Sequence, residues 1–465
     1  MNTNQIFLRL TSFLIFCLIT LFIILTQDNW SRLVLTILLS YFVIYFQSLS
    51  SLSRGQYYFN IFDLRIISIS VIFCYAIIPL VGYIFSGFQL NEFSDNRIRQ
   101  YNIGSNELSL FYLKFYLPFF ISFIFGIFLF SNKDNSNLTS YNIKYDTSLF
   151  VSLILILIFL NLFLNYVSYI QDIPLILKQF NNIFGHFKRV GYFLLIILIF
   201  LNWDNKLVKF LFFIYLFLIF YEVINELSSR TFFFKNILAI FILYCFLVRR
   251  ITIKVFFSIG IILLLLAIFI GAKNNNMYDI FFSLKKIGAA SNEWWSLFGT
   301  AYDLYKLQFL GLYNYTTNTL TEVIPNYIRY NDFFYLIPQQ FVTKVDPSLW
   351  YLDYIQALDE KSKFGIGFTW GAISTLVIWN NILFTLAYGL FTGAIISLIH
   401  NWFLRNKQSI YAILIYTCCC VYCYGIIRVG TGYFVYEIIY RVLPFVFILI
   451  ISSSILKVLS YSKRS

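Results

Sequence analysis

The sequence predicts an all-α, polytopic membrane protein with about twelve transmembrane helices and one long external loop. Its 465 residues are 60% hydrophobic and only 12% charged, and the mean hydropathy is +0.77. A soluble domain of this length and composition would expose large apolar patches. Apolar runs such as residues 153–160 show no alternation of apolar and polar positions, so helices are predicted rather than the strands of a membrane barrel.

Runs of about twenty apolar residues mark the predicted spans, because a helix of that length crosses the bilayer. The first run is too long for a cleaved signal peptide and is therefore interpreted as a helix. A further apolar run at 366–378 is interrupted by Gly371 and is too short to cross, which indicates a half-helix or an interfacial helix. The spans are predicted near residues 6–26, 33–52, 66–86, 110–131, 148–167, 190–203, 208–227, 231–248, 255–272, 381–404, 410–427 and 433–457.

The positive-inside rule predicts that both termini are cytoplasmic. In that orientation the cytoplasmic turns hold roughly fourteen Lys or Arg residues, against about eight in the short external turns. The stretch at 273–363 then lies outside, and within it residues 274–363 hold seven basic and nine acidic residues, a net charge of about −2, whereas the whole chain carries +13. Three parts are predicted: helices at 1–272, a large periplasmic loop domain at 273–365, and a short interfacial helix with the last helices at 366–465.

Composition and missing motifs exclude several classes of function. The positive charge comes from basic residues at the ends of apolar runs, so nucleic acid is not an expected partner. The chain has no glycine-rich phosphate loop, no HExxH sequence and no nucleophile elbow, and neither a cofactor nor a metal is expected. The adjacent Cys418, Cys419 and Cys420 lie in one apolar span and are interpreted as packing residues.

Charged residues within or beside predicted spans are candidates for a site, because an unpaired charge in the bilayer is costly. Glu222, Glu226 and Arg230 follow one another at intervals of four, so they would share one helical face at the external end of the seventh helix. The alternative is an interfacial salt bridge that closes a turn.

A second group lies in the last span and in the turn before it. Glu437 and Arg441 are an i, i+4 pair inside the span, and a structural ion pair is the alternative interpretation. Arg428 stands at the external turn, where the positive-inside rule does not explain a cation.

A third group consists of residues on predicted external loops, where cations can bind a phosphate. It contains Arg97 and Arg99 in one loop and His186, Lys188 and Arg189 in another. His186 is also a candidate base. Solvated loop charges are the alternative for this group, and the other histidine, His400, is interpreted as a packed interfacial residue.

Four short stretches carry a resemblance to a known family. They are IPQQFVTKVDP at 337–347, GIGFTWGAISTLVIWNNILFTLAYGLFTG at 365–393, SSRT at 228–231 and IIRVG at 426–430. These stretches resemble the corresponding regions of bacterial O-antigen polymerases of the Wzy type. The resemblance implies a GT-C-like glycosyltransferase of the bacterial inner membrane, which moves a polysaccharide from undecaprenyl pyrophosphate onto a new lipid-linked repeat unit at the periplasmic face. Membrane lipids and a chain-length regulator protein would be its other partners.

The resemblance also implies roles for the candidate residues. Cations would bind the pyrophosphate and stabilise the charge that develops as the glycosidic bond breaks. The expected pyrophosphate ligands are Arg230 and Arg428, followed by Arg97, Arg99, Lys188 and Arg189. The candidate acceptors of the proton from the sugar hydroxyl are Glu226, His186 and Glu293. Lys344 would contact the substrate within the loop, where aromatic side chains would stack on sugars.

The sequence is also compatible with two other functions. An O-antigen ligase shares the fold and the donor but is expected to rely on a His in its large outer loop, and residues 273–363 contain none. A flippase for lipid-linked oligosaccharides needs cations along a central path and no large outer domain. Both observations favour the polymerase.

Overall fold

The structure is a computed structural model, and it describes part of the chain. The described residues are 51–53, 56–58, 63–73, 112–130, 147–168, 175–206, 209–210, 213, 230–248, 324–337, 350 and 371–462.

The described residues are mainly helical. A small antiparallel hairpin is the exception, in which β1 (Ser51–Ser53) pairs with β2 (Gln56–Tyr58). The helices of the first half are α1 (Leu64–Phe73), α2 (Leu117–Phe130, preceded by a π-helical turn at Tyr112–Tyr116), α3 (Thr147–Ser168), α4 (Leu175–Leu201) and α5 (Arg230–Leu247). Those of the second half are α6 (Asn326–Arg329), α7 (Asn331–Phe334), α8 (Gly371–Trp379), α9 (Ile382–Asn406), α10 (Ile410–Tyr422), α11 (Gly425–Arg428), α12 (Thr431–Tyr436), a π-helical segment at Glu437–Val442 and α13 (Leu443–Ser462).

Four stretches of helix in the described part are long and apolar enough to cross a membrane. They are Leu113–Phe130, Ile183–Leu201, Ile382–Asn406 and Thr431–Leu459. Several outward apolar side chains, such as Leu383 and Phe447, are exposed, as expected of positions that face lipid. The structure therefore agrees with a helical membrane protein, whereas the number of twelve spans depends also on residues outside the described ranges.

Helices α2 and α9 pack together closely because small residues line their contact. A Cβ atom added to Gly389 would overlap Ser122 and the backbone at Phe119, and one added to Gly393 would overlap the backbone at Phe123. This GxxxG spacing lets two membrane helices approach at their backbones. The order of the contacts shows that α2 and α9 run in the same direction, as the predicted sequence of spans requires.

Two predicted boundaries near the candidate site are wrong. The predicted external loop that carries His186, Lys188 and Arg189 is part of α4, which begins at Leu175 and not near residue 190. The polar side chains of this stretch are partly buried among neighbouring helices instead of ending the helix. Helix α10 likewise ends at Tyr422, and the short α11 follows it before the last span begins.

Helix α8 overlaps the segment at 366–378 for which a half-helix or an interfacial helix is predicted. Its described part has nine residues, or about 14 Å of helix, against about 30 Å of hydrocarbon. Its Trp379 donates a hydrogen bond from Nε1 to the carbonyl of Arg329 at 3.3 Å and stacks against Phe384 at the start of α9. Residues 324–337 belong to the loop domain predicted at 273–365, which we call the insert, and they thus pack at the end of the bundle where α8, α11 and α12 lie. We call this the insert end.

A separate polar cluster joins α1 to α9 and α10 away from the insert end. Asp63 forms a salt bridge of 2.7 Å with Arg65, and its other oxygen lies 3.5 Å from Nδ1 of His400. The hydroxyl of Tyr416 accepts a hydrogen bond from the amide of Leu64 and lies 2.5 Å from the same His400 nitrogen. His400 is therefore a buried packing residue, as predicted, but one with defined polar partners.

Candidate anion-binding site

Four cations from separate stretches of chain gather near the insert end of the bundle. Lys235 lies close enough to Arg189, Arg428 and Arg441 to interact electrostatically with each of them, and it also interacts with Glu437. His186 interacts electrostatically with Arg189, Lys235 and Arg441. We call this group the basic cluster; it consists of Arg189, Lys235, Arg428, Arg441, Glu437 and His186. With a neutral histidine, four positive charges face one carboxylate.

The members of the basic cluster come from several helices. His186 and Arg189 lie one turn apart on α4, and Lys235 lies in the second turn of α5. Arg428 ends the short helix α11. Glu437 begins the π-helical segment and Arg441 lies near its end, and such segments occur frequently at functional sites because they change the direction of side chains.

The one carboxylate of the cluster is only half satisfied. Oε1 of Glu437 accepts a hydrogen bond from Nη1 of Arg441, so the predicted ion pair is present, and the side chain of Tyr433 also hydrogen-bonds to this carboxylate. Oε2 of Glu437 is buried and has no hydrogen-bond partner among the described residues, and the same holds for Nδ1 of His186. Buried polar atoms rarely lack a partner, so these two atoms are candidates for contact with a polar ligand.

Tyrosine rings form the wall of the basic cluster. Nζ of Lys235 lies 4.9 Å from the ring centre of Tyr422 and 5.2 Å from that of Tyr424. The guanidinium of Arg441 lies 5.4 Å from the ring of Tyr436. These cation–π contacts help to hold the two cations in place, in addition to the ion pair of Arg441 with Glu437.

The insert is attached to the bundle through a buried carboxylate, Asp332 of α7. Its Oδ1 accepts a hydrogen bond of 2.9 Å from the amide of Gly432, and its Oδ2 accepts one of 2.7 Å from the hydroxyl of Tyr388 on α9. The same hydroxyl accepts a hydrogen bond of 2.8 Å from the amide of Thr431. Burial raises the pKa of Asp332 above its ordinary value, and the hydrogen bonds from Tyr388 and the backbone lower it only in part.

Two glycines make this close approach possible. Gly430 has a φ of 151°, which side-chain-bearing residues rarely adopt, and a Cβ at this position would overlap the carboxylate of Asp332. A Cβ at Gly432 would overlap the backbone carbonyl of Asp332. The IIRVG stretch and the TG that follows it therefore form the seat of the insert.

Aromatic contacts connect the attached insert to the basic cluster. The ring of Tyr335 in the insert lies 5.4 Å from that of Tyr433 and 6.1 Å from that of Tyr436. The hydroxyl of Tyr440 donates a hydrogen bond of 3.2 Å to the carbonyl of Leu336. The insert and the cations thus share one aromatic boundary.

The structure brings together some of the predicted site residues. Arg189, Arg428 and His186 belong to the basic cluster, whereas Nζ of the neighbouring Lys188 lies 5.6 Å from the ring of Tyr192 on its own helix. Arg230 is the first residue of α5, one turn before Lys235, and its side chain lies outside the description. The predicted residues that lie outside the described ranges are Arg97, Arg99, Glu226, Glu293 and Lys344.

Sequence reasoning missed two residues of this region. Lys235 is a single cation near the start of a predicted span, a position where cations are ordinary. Asp332 is one of nine acidic residues in the insert, and only its contact with residues 388 and 432 distinguishes it. The signal that does exist for Asp332 is the pair of glycines in VGTG, which indicates close backbone approach.

The described part of the chain contains no group of three His, Cys, Asp or Glu residues that could hold a metal ion. Its cysteines, including Cys418, Cys419 and Cys420, are free and buried, in agreement with their interpretation as packing residues. Chemically, the basic cluster provides an anion site with several hydrogen-bond donors and an aromatic wall. Comparisons with protein-family models, with curated proteins and with solved structures found no match.

Proposed function

We propose that the protein is an O-antigen polymerase, a glycosyltransferase that joins undecaprenyl-pyrophosphate-linked oligosaccharide repeat units into a polysaccharide at the periplasmic face of the bacterial inner membrane. The observation that carries the proposal is the basic cluster, in which four cations face one carboxylate beside the attached insert. A cluster with this excess of positive charge inside an apolar protein requires a bound anion for stability. The pyrophosphate of a lipid carrier supplies that anion at membrane depth.

The proposed reaction uses the cations at the leaving group. When the sugar leaves the carrier, negative charge grows on the pyrophosphate oxygen that held it, and Arg428, Lys235 and Arg441 are positioned to stabilise that charge. No metal is needed for this step, because the cations are already in place. The bound carrier would extend along the exposed apolar helix faces into the lipid.

The insert provides the sugar-binding part of the proposal. Tyr327, Tyr330 and Phe333 expose between 38% and 44% of their surface, which leaves aromatic surface for contact with sugar rings, although the ring of Tyr330 also contacts that of Trp379. They lie on α6 and α7 or between them, next to the seat at Gly430–Gly432. The insert end would then face the periplasm, and both termini would be cytoplasmic.

The O-antigen ligase is the second candidate function, because it would use the same lipid-linked donor and the same cations. The histidine of the basic cluster, His186, lies on α4 and not in the insert, which favours the polymerase. A flippase is less well supported, since the described cations of the cluster gather at one end and do not follow a path through the bundle.

Deletion of the gene separates these functions on a lipopolysaccharide gel. The polymerase predicts a surface glycan capped with a single repeat unit in the deletion strain. Loss of all O-antigen with retained lipid-linked polymer would indicate a ligase, and lipid-linked units trapped on the cytoplasmic side would indicate a flippase. Complementation with the wild-type gene should restore the ladder.

A further inference from the structure

Glu437 has a buried carboxylate oxygen that could accept a hydrogen bond and then a proton. Its side chain is buried, Oε1 is occupied by Arg441, and Oε2 has no hydrogen-bond partner among the described residues. It begins a π-helical segment and interacts electrostatically with Lys235. A carboxylate needed only for the ion pair would be expected to use both oxygens.

We propose that Glu437 is a catalytic residue that accepts the proton of the acceptor sugar's hydroxyl through Oε2. This inference rests on the proposed polymerase function. The hydroxyl would first donate a hydrogen bond to Oε2 and so complete the coordination of the carboxylate. The role would fall to Glu437 in place of Glu226 and Glu293, which lie outside the described residues.

The proposed step conserves atoms and charge. The acceptor oxygen forms a bond to the anomeric carbon of the donor sugar, and the bond between that carbon and the pyrophosphate oxygen breaks. The electron pair of the broken bond leaves with the pyrophosphate, which the cations hold. The proton of the hydroxyl moves to Oε2 of Glu437 and is later released to water.

The charges of the basic cluster favour Glu437 over His186 as the residue that accepts the proton. His186 interacts with three cations, so taking up a proton would place a fourth positive charge among them. Glu437 instead becomes neutral when it takes up the proton. The bound pyrophosphate compensates the cations at that moment, which removes the main electrostatic obstacle to protonating the carboxylate.

The test compares Glu437→Gln, Glu437→Asp and Glu437→Ala with Asp204→Asn, an exposed carboxylate outside the basic cluster. Each purified full-length variant is assayed for polymerisation of lipid-linked repeat units extracted from the deletion strain. Binding of farnesyl pyrophosphate to the same samples is measured by calorimetry. The glutamine variant should polymerise at least a hundredfold more slowly while it still binds the pyrophosphate. The aspartate variant should retain part of the rate, and formate should partly restore the alanine variant.

Two results would contradict the proton-acceptor role of Glu437, and a third would contradict the proposed function. Polymerisation by Glu437→Gln within threefold of the wild-type rate would overturn the proton-acceptor role. Loss of both binding and polymerisation in that variant, with no rescue of the alanine variant by formate, would also overturn it and leave Glu437 as the partner that holds Arg441. Failure of the wild-type protein to bind or to polymerise would instead reject the proposed function itself.

Discussion

Asp332 accepts a hydrogen bond of 2.7 Å from the hydroxyl of Tyr388, although the two residues lie 56 positions apart in the sequence. The bond joins the insert to α9, and the second carboxylate oxygen joins it to the start of α12 through Gly432. The position of the insert relative to the basic cluster therefore depends on a few buried polar contacts. These contacts set the distance between the aromatic residues of the insert and the cations.

Tyr388→Phe should loosen the insert. The change leaves Oδ2 of Asp332 and the amide of Thr431 without the hydroxyl that joins them, and each lost partner of a buried polar group costs about 1–3 kcal/mol. We expect faster proteolysis within residues 324–337 and a lower melting temperature in detergent. Tyr411→Phe is the matched control, since its hydroxyl makes only a contact of 3.5 Å with Ser453. Equal cleavage rates in both variants would show that the insert is held by other contacts.

Gly393→Ala should separate α2 from α9. The added Cβ would overlap the carbonyl of Phe123, a backbone atom that cannot move without the helix. Overpacking of this kind costs about 1–3 kcal/mol, and we expect a fall in melting temperature. Gly185→Ala is the control, because no atom lies within 4 Å of the added Cβ and alanine favours the helix. Equal melting temperatures of the two variants would contradict the close packing of α2 against α9 at Gly393.

The cluster around Asp63 should make stability depend on acid pH. Burial raises the pKa of Asp63, but Arg65 and His400 outweigh it and lower the pKa to about 2 from the ordinary 3.8. A carboxyl group with a lowered pKa stabilises the folded state above about pH 4, and this stabilisation is lost as the pH falls toward 2. A shift of this size corresponds to roughly 2 kcal/mol.

Thermal unfolding of the wild type and of Asp63→Asn between pH 7 and pH 2 measures this effect. The difference in melting temperature between the two proteins should be largest at pH 7 and shrink below pH 4. Asp332, whose raised pKa has the opposite influence, titrates in both proteins and largely cancels in the difference. A difference that stays constant over the whole range would contradict the assignment.

Long apolar runs were sufficient to predict several helices. The spans predicted at 148–167 and 381–404 correspond to Thr147–Ser168 and Ile382–Asn406, because their apolar length alone determines where a helix crosses the bilayer. The short helix at 371–379 was predicted for the same reason. The parallel course of α2 and α9 also agrees with the predicted order of crossings.

The same rule failed where polar residues lie inside the protein. His186 and Arg189 were predicted on a loop because hydropathy cannot distinguish a cation in solvent from one that faces neighbouring helices. The meeting of Arg189 with Lys235 and Arg441 depends on contacts between distant segments, which no local pattern encodes. The i, i+4 pair of Glu437 and Arg441 was visible in the sequence, but the free oxygen of Glu437 was not.

We propose that the basic cluster binds the pyrophosphate of a lipid carrier. Binding of farnesyl pyrophosphate to purified protein should weaken roughly tenfold to a hundredfold in Lys235→Gln and in Arg428→Gln, because a hydrogen bond to a charged group contributes about 1.5–3 kcal/mol. Arg405→Gln removes an exposed cation at the far end of α9 and is the control for net charge. The account predicts normal binding by this control and weak binding by the two cluster variants. Equal affinity of all three variants and the wild type for farnesyl pyrophosphate would contradict it.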